Sequence, residues 1–409
     1  MGGEPLRIVH VADLHLGMEN YGRLDPATGL SSRVSDFLAA LDEVVDYALN
    51  AEVDVVLFCG DVYKSRDPST TQQREFAKRI GRLARQGVQV VLVAGNHDTP
   101  NALGRATSVE IFDTLAIQNV HVAGKPALIG LQTKHGPLQV VAVPWLPRSA
   151  LLSREEAKDK TLEELNNLMA EAIGRVVQSH ASGLDPSVPA VLGAHLSIAG
   201  AVPGSERSIM VGQDYVVLKS VIADRAFDYV ALGHIHKYQM LSNMPPVVYA
   251  GSLQRIDFGE EEDPKGFVVV EIRRGESGRR ETEFSFESVH SRRFLTVRVD
   301  ADSDDPTETV LQAIARQNVA DAVVRLQIKI SSQREGLLQE HEIRRALKDA
   351  YYVAAISKEV QREYRRRLGG RSIEELSPLD ALSLYFLDKQ TSADRTAVLL
   401  EYGRRIISG

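Results

Sequence analysis

Asp228-Tyr229-Val230-Ala231-Leu232-Gly233-His234-Ile235-His236 is the stretch on which the reading of this chain turns. Tyr229–Leu232 is a short apolar run of the kind that forms a buried strand, and polar residues follow at once. Working outward, the arrangement recurs. Ala190–Leu192 leads to His195, Val90–Val93 to Gly95-Asn96-His97-Asp98, Val55–Phe58 to Gly60-Asp61, and Ile8–Val11 to Asp13 and His15. In an open α/β sheet, ligands bind beyond the carboxyl ends of the strands. Segments far apart in sequence are therefore expected to deliver their polar groups to one crevice. Carboxylates, an amide oxygen and several imidazoles together are the ligand set of a pair of divalent transition metals.

Helical patterns lie between the runs. Ser35–Asn50 carries Phe37, Leu38, Leu41, Val44, Val45 and Leu49 on one face. Thr70–Arg85 is a second helix and Ala106–Leu115 a shorter third. This βαβ rhythm predicts an α/β sheet with covering helices. Leu138–Val143, ending in Pro144-Trp145, is a further strand, 151–181 is helical, and Val247–Ala250 and Phe267–Ile272 are strands. They close a first domain, residues 1–290. A small α+β domain, 291–357, follows, with strands at Phe294–Val299, Val323–Ile330 and Tyr352–Ile356 and helices at Pro306–Asn318 and Glu335–Lys348. The rest, 358–409, opens on a basic linker or helix at 358–371 (Lys358, Arg362, Arg365, Arg366, Arg367, Arg371) and continues in two helical patterns from Ser377-Pro378 to Ile407.

Composition sets limits. With 409 residues, 44% hydrophobic and 25% charged, the chain reads as an ordinary soluble protein of more than one domain. A net charge of −7 argues against a protein that coats itself with nucleic acid. It leaves room for local arginines and bound cations to meet phosphates. The single cysteine, Cys59, reads as a buried structural thiol, and the lack of a disulfide framework fits a reducing cytoplasm. The start lacks the basic segment and apolar core of a signal peptide. Gly2 invites myristoylation, but Leu6 stands where Ser or Thr is expected. No apolar run approaches the ~20 residues that span a bilayer, so no membrane partner is expected.

Singly, these motifs are weak, because Gly-Asp or Gly-Asn-His after a strand is often only a turn. Jointly they hold His15, His97, His195, His234 and His236, five of the eleven histidines. Two metals about 3.5–4 Å apart need a bridging carboxylate, and Asp61, alone at the end of its strand, is the natural bridge. Asp13 and His15 are two apart, so in an extended segment both point to one side, and His234 and His236 share that spacing. Asn96 adds an oxygen ligand without adding negative charge. His97, beside it, suits protonation of a leaving oxygen, with Asp98 orienting its ring.

Together these motifs resemble the calcineurin-like metallophosphoesterase superfamily. Asp228–His236, Gly251-Ser252-Leu253-Gln254-Arg255-Ile256-Asp257-Phe258-Gly259-Glu260 and Lys265-Gly266-Phe267 resemble its SbcD-type nucleases, over roughly residues 6–290. The resemblance implies a β-sandwich flanked by helices, a small α+β capping domain and C-terminal helices. It implies one ion on Asp13, His15, Asp61 and His236, a second on Asp61, Asn96, His195 and His234, and His97 as the catalytic histidine. It also implies two Mn²⁺ ions, hydrolysis of DNA phosphodiesters, a homodimer and an ATPase partner of the SbcC type. Residues 70–85 and 106–115 are candidates for the dimer interface, and the apolar positions of the tail for the partner. Lys64 stands where archaeal and eukaryotic relatives carry a further histidine. Rival readings are a phosphoesterase with a non-DNA substrate and a subunit that mainly binds DNA ends. Against a protein phosphatase, whose motif is Arg-Gly-Asn-His-Glu, this chain has Ala94-Gly95-Asn96-His97-Asp98.

Overall fold

The computed structural model describes residues 4–100, 104–204, 215–275, 279–361 and 377–408. Strands β1 (Leu6–Val11), β2 (Val55–Cys59), β3 (Gln89–Val93) and β4 (Val120–Ala123) pair in that order, all parallel. Helices α1 (Ser32–Asn50) and α2 (Thr70–Arg85) join the first three. Both begin at a serine that satisfies first-turn N–H groups, and Ser69 and Gln72 form a reciprocal capping box. The helix expected over 106–115 is reduced to one turn, Ile111–Thr114. Ser108 is drawn off instead: its N–H donates to the Asp98 carbonyl and its hydroxyl to the Asp98 carboxylate.

A second set of strands follows: β5 (Ala127–Thr133), β6 (Gly136–Val143) and β7 (Ala190–His195), with the helix Leu162–Ser182 before β7. β8 (Ser197–Ile198) and β9 (Val216–Val217) form a short separate pair. β10 (Tyr229–Gly233), β11 (Gln239–Asn243) and β12 (Pro246–Tyr249) join β5–β7 in a sheet of order β11-β12-β10-β7-β6-β5. The chain then returns to the first sheet as β13 (Gly266–Arg274) and β14 (Arg280–Ser288). β13 lies antiparallel to β1, and the order is β14-β13-β1-β2-β3-β4.

The residues read as one open sheet are thus two sheets face to face, as the resemblance implied. Alternation along the strands shows how they pack. Val9, Val11, Val56, Phe58, Val90 and Leu92 face α1 and α2. Their neighbours Ile8, Val55, Leu57, Val91 and Val93 face the second sheet's Val140, Ala142, Val191, Tyr229 and Ala231. The other face of that sheet, including Val141, Leu192, Val230 and Val247, packs on Leu165, Met169, Ile173 and Val177 of the long helix. Central strands apolar on both faces give no sequence sign of which strands share a sheet. β4, β5, β11 and β14 escaped the reading because they are half-polar partners at or near sheet edges.

The chain forms two compact units. The first is 1–296 with 318–325 and 349–355, and the second is 297–317, 326–348 and 356–409. Strands β15 (Phe294–Asp300), β16 (Val323–Ser331) and β17 (Tyr352–Gln361) form a sheet in that order. In the second unit the helix Pro306–Ala315 starts at Asp305, with Pro306 in its first turn. The helix expected over 335–348 breaks into a 3₁₀ turn, Glu335–Leu337, and a helix, Glu340–Ala346. Lys358–Gln361, expected to open the basic linker, continue β17, and 362–371 lie outside the described residues. Helices Pro378–Asp388 and Ala393–Ser408 pack on each other. No helix among the described residues is long and apolar enough to cross a membrane.

Candidate metal centre

The carboxyl ends of β1, β2, β3, β7 and β10 gather the motif residues at one edge of the sandwich. Their loops run in contact: Asp13 N–H donates to the Gly60 carbonyl (3.1 Å), and His15 N–H to that of Asp61 (2.9 Å). Asp13, His15, Asp61 and His234 all have left-handed backbone, with φ of 51°, 48°, 51° and 100°. Such conformations cost L-residues about 1–3 kcal/mol each and persist where surrounding structure over-determines them. Asp13 and His15 therefore share a side because the backbone turns, and the extended geometry expected from their spacing is not what forms. The two sheets approach closely here. A Cβ at Gly60 (φ 89°) would overlap the His195 ring, and one at Gly233 would overlap the Cys59 carbonyl.

The seven residues expected as ligands lie together. Asp13, His15, Asp61, His195, His234 and His236 are buried, and Asn96 and His97 are half-buried. Asp61 Oδ2 lies 3.7 Å from His15 Nε2 and 3.5 Å from His195 Nε2, between two groups of nitrogens. Its Oδ1 accepts from His97 N–H at 2.8 Å. On one side His15 Nε2 and His236 Nε2 are 3.0 Å apart, and Asp13 completes a cluster with them. On the other, Asn96 Oδ1 is 2.9 Å from His195 Nε2 and 3.1 Å from His234 Nδ1. The Asp13 carboxylate accepts from His234 N–H with both oxygens at 3.0 Å.

Tautomers follow from the acceptors on the far side of each ring. His195 Nδ1 faces the Cys59 carbonyl at 2.8 Å, and a carbonyl can only accept, so that nitrogen carries hydrogen. His236 Nδ1 faces the Glu260 carboxylate at 2.8 Å in the same way. Each Nε2 is left to point at other acceptors. Across from them, His15 Nδ1 is buried with no hydrogen-bond partner among the described residues. Polar atoms facing each other this closely need a proton or a metal ion between them. Burial opposes a charge on the His195 imidazole, but Asp61 and then Asp13 lift it to about 9. Burial likewise opposes the charge on Asp61, yet the imidazoles around it, His195 foremost, hold it well below the usual carboxylate range. A field of this sign favours a cation, and the donor set fits two oxygen- and nitrogen-ligated divalent ions.

Asp98 does not orient His97. Its buried carboxylate accepts from the N–H groups of Val62, Tyr63 and Gly95 and from the Ser108 hydroxyl, holding two site loops in register. His97 Nδ1 donates instead to the Lys64 carbonyl (2.7 Å), and its ring stands edge-on to His15, 5.0 Å between centres. The side chain of Lys64 is exposed. Two further neighbours were not read from sequence. Glu260 touches His236. Trp145, the only tryptophan, lies 5.2 Å from the His234 ring and stacks on Tyr215 at 4.9 Å. Position at the end of an apolar strand was the one available sign for Trp145. Glu260 lies in a run of acidic residues, Glu260-Glu261-Glu262-Asp263, in which nothing local marks it as the buried one.

Residues 6–238 match the model of the calcineurin-like phosphoesterase family. The SbcD component of the nuclease SbcCD from Rhodobacter capsulatus is 30% identical over 291 residues, 67% of this chain and 68% of that protein. Its Bacillus subtilis namesake is 29% identical over 281 residues, 66% of this chain and 67% of its own. A solved dimetal phosphatase from Danio rerio aligns with 69% of this chain and 99% of its own, at 12% identity and a TM-score of 0.37.

Proposed function

The chain belongs to the calcineurin-like phosphoesterase family and is a metal-dependent phosphodiesterase, and from that premise we propose that it is a Mn²⁺-dependent DNA nuclease. In this reading Asp13, His15, Asp61 and His236 hold one ion, and Asp61, Asn96, His195 and His234 hold the other. The observation that carries it is Asp61 Oδ2, set between two groups of imidazole nitrogens. Two bound divalent ions would neutralise charge on the phosphoryl oxygens and make water acidic enough to attack phosphorus. His97, anchored through Nδ1, keeps Nε2 for the substrate and hands a proton to the leaving 3′-oxygen. Asp98 serves by keeping the Asn96–His97 turn in place.

The names of the relatives support DNA as substrate and a place in an SbcCD-type complex. The proposal accordingly includes exonuclease action on double-stranded ends and endonuclease action on single strands or hairpins, in DNA repair, recombination and replication. It includes a homodimer, an SbcC-type ATPase partner and a cytoplasmic site of action. Residues 291–357 act as the capping domain that meets DNA, and the C-terminal helices dock the partner.

The test is cleavage of an end-labelled linear duplex by the purified chain with Mn²⁺, with Mg²⁺ and with EDTA, beside Asp61→Ala. Cleavage with Mn²⁺ that disappears in EDTA and in the variant is the expected result. Tightly bound metal with no cleavage of duplex, single-stranded or hairpin DNA overturns it in favour of another phosphoester substrate.

A further inference from the structure

The motif between Gly251 and Lys265 has no part in the chemistry assigned so far. It nevertheless contains a buried ion pair directly behind the metal centre. Glu260 and Lys265 are fully enclosed and meet at 2.8 Å through Glu260 Oε2. The other carboxylate oxygen, Oε1, accepts from His236 Nδ1 at 2.8 Å. Lys265 Nζ also donates to Ser252 Oγ (2.8 Å) and to the His236 carbonyl (3.3 Å), and Ser252 N–H donates to that same carbonyl (3.0 Å). His236 is thus held at ring and backbone by one segment.

The rest of the segment keeps Glu260 in place. Asp257 caps the 3₁₀ turn that carries it, Phe258–Glu260, by accepting from Gly259 N–H (2.7 Å). Ile256 N–H donates to Glu260 Oε2 (3.1 Å). Arg255 reaches over the turn to the carbonyls of Glu260, Glu261 and Asp263 and to the Ser291 hydroxyl. A carboxylate removed from water is costly unless it is paired and its oxygens are filled. Here both conditions are met, and one oxygen is aimed at an imidazole. Such an outer acceptor fixes the tautomer and orientation of a metal-binding histidine.

We propose that residues 251–265 are a clamp for His236, with Glu260 as the residue that positions its ring and Lys265 as the buried counter-charge that lets Glu260 do so. The inference rests on the reading that His236 binds a metal. The clamp keeps His236 Nε2 turned toward Asp13 and His15, so it sets affinity at that half of the centre and leaves the Asn96 half to other supports.

Two double variants of the full chain separate the acceptor from the charges. Glu260→Gln with Lys265→Met removes both charges and keeps an oxygen for His236 Nδ1–H. Glu260→Leu with Lys265→Met removes the oxygen as well. Replacing a buried ion pair by apolar groups is often tolerated, and a metal-free thermal melt reports whether each variant folds. The readout is Mn²⁺ bound per chain, from electron paramagnetic resonance of the free ion during titration. Wild type and the Gln/Met variant are expected to bind two ions alike. The Leu/Met variant is expected to keep one and bind the other about 10–100-fold more weakly. If the Leu/Met variant shows no melting transition, Glu260→Asp, which withdraws the acceptor by one methylene, replaces it with the same expected order. Two ions bound at wild-type affinity by the variant lacking or withdrawing the acceptor overturn the clamp alone, as does equal weakening in the Gln/Met variant. A wild-type chain that binds no Mn²⁺ overturns both the clamp and the nuclease reading.

Discussion

Asp61 divides its oxygens between two tasks, and that division makes it the most sensitive single residue of the centre. Oδ1 holds the His97 turn, and Oδ2 stands between His15 and His195. Asp61→Ala is therefore expected to abolish binding of both ions, read as Mn²⁺ per chain after gel filtration; retention of even one tight ion would refute the bridge. His97→Ala differs in kind. Its ring is anchored on the Lys64 carbonyl and comes within metal-ligating reach of His15 and Asp61, but the proposed ligand sets are complete without it, so both ions should stay while turnover falls by roughly two to four orders of magnitude. An unchanged rate, or loss of an ion, would remove it from the proton-donor role. At this scale the sequence was informative wherever a side chain does the work, because Asp, Asn and His at strand ends announce themselves. It was silent where the backbone does it. Nothing in Lys64 says that its carbonyl holds His97, and nothing in Cys59 says that its carbonyl sets the tautomer of His195.

The two sheets meet at buried residues that are not all apolar. His10 of β1 reaches β10, where Nδ1 accepts from the Tyr229 hydroxyl (3.1 Å) and Nε2 donates to the Leu232 carbonyl (3.1 Å). Burial drops its pKa to about 3, against the opposing pull of that carbonyl. Below the usual histidine value of about 6.5, the unfolded chain takes up a proton that the folded chain refuses. Stability is therefore full above that value and falls as the pH drops, by about 2 kcal/mol at pH 5. Denaturant melts at several pH values, compared with His10→Leu, should show the slope in the wild type and a shallower one in the variant. Parallel curves would mean that His10 titrates freely. The same inter-sheet closeness makes Gly233→Ala costly, since the new methyl would overlap the Cys59 carbonyl and crowd the Ala12 methyl. A loss of about 1–3 kcal/mol in a thermal melt is expected, and a neutral result would show that the sheets can part there. Strands and long helices were legible in the sequence because β-branched runs and 3.6-residue spacing are local signals. Their division into two sheets was not, since β1, β2, β7 and β10 are buried on both faces and largely apolar. Nor was the loss of most of the 106–115 helix, which follows from Ser108 bonding Asp98 across ten residues.

At the scale of the molecule, periodicity carries no record of which distant segments return to a core, and the first unit shows why that matters. It takes in residues well beyond the last strand of its sheets. Arg292 pairs with Asp36 at 2.6 and 3.0 Å, donates to the Asp321 carbonyl at 3.1 Å and lies 3.9 Å over the Tyr351 ring. Phe294 packs edge-on to Tyr21 and Phe258, and Tyr352 to Tyr21. All of these lie within that unit, because 318–325 and 349–355 belong to it. A chain ended at residue 290 keeps every candidate ligand and His97 but loses this layer. Among the described residues it leaves the Asp36 carboxylate with Arg33 alone, in a site where the Arg292 pair is only partly exposed. Breaking such a pair costs about 2–4 kcal/mol after allowance for solvent, which is a drop of roughly 3–6 °C in a unit of this size. A chain ended at residue 361 keeps the layer and loses only residues of the second unit, so the first unit's transition should move by less than about 2 °C. Calorimetry of the three chains distinguishes the outcomes. If the chain ended at 290 melts with the full chain, Arg292, Phe294 and the returning segments are ornaments of the first unit, and its core ends with β14. If both truncations lower the transition equally, stability comes from the tail helices, and the placement of 318–325 and 349–355 contributes little.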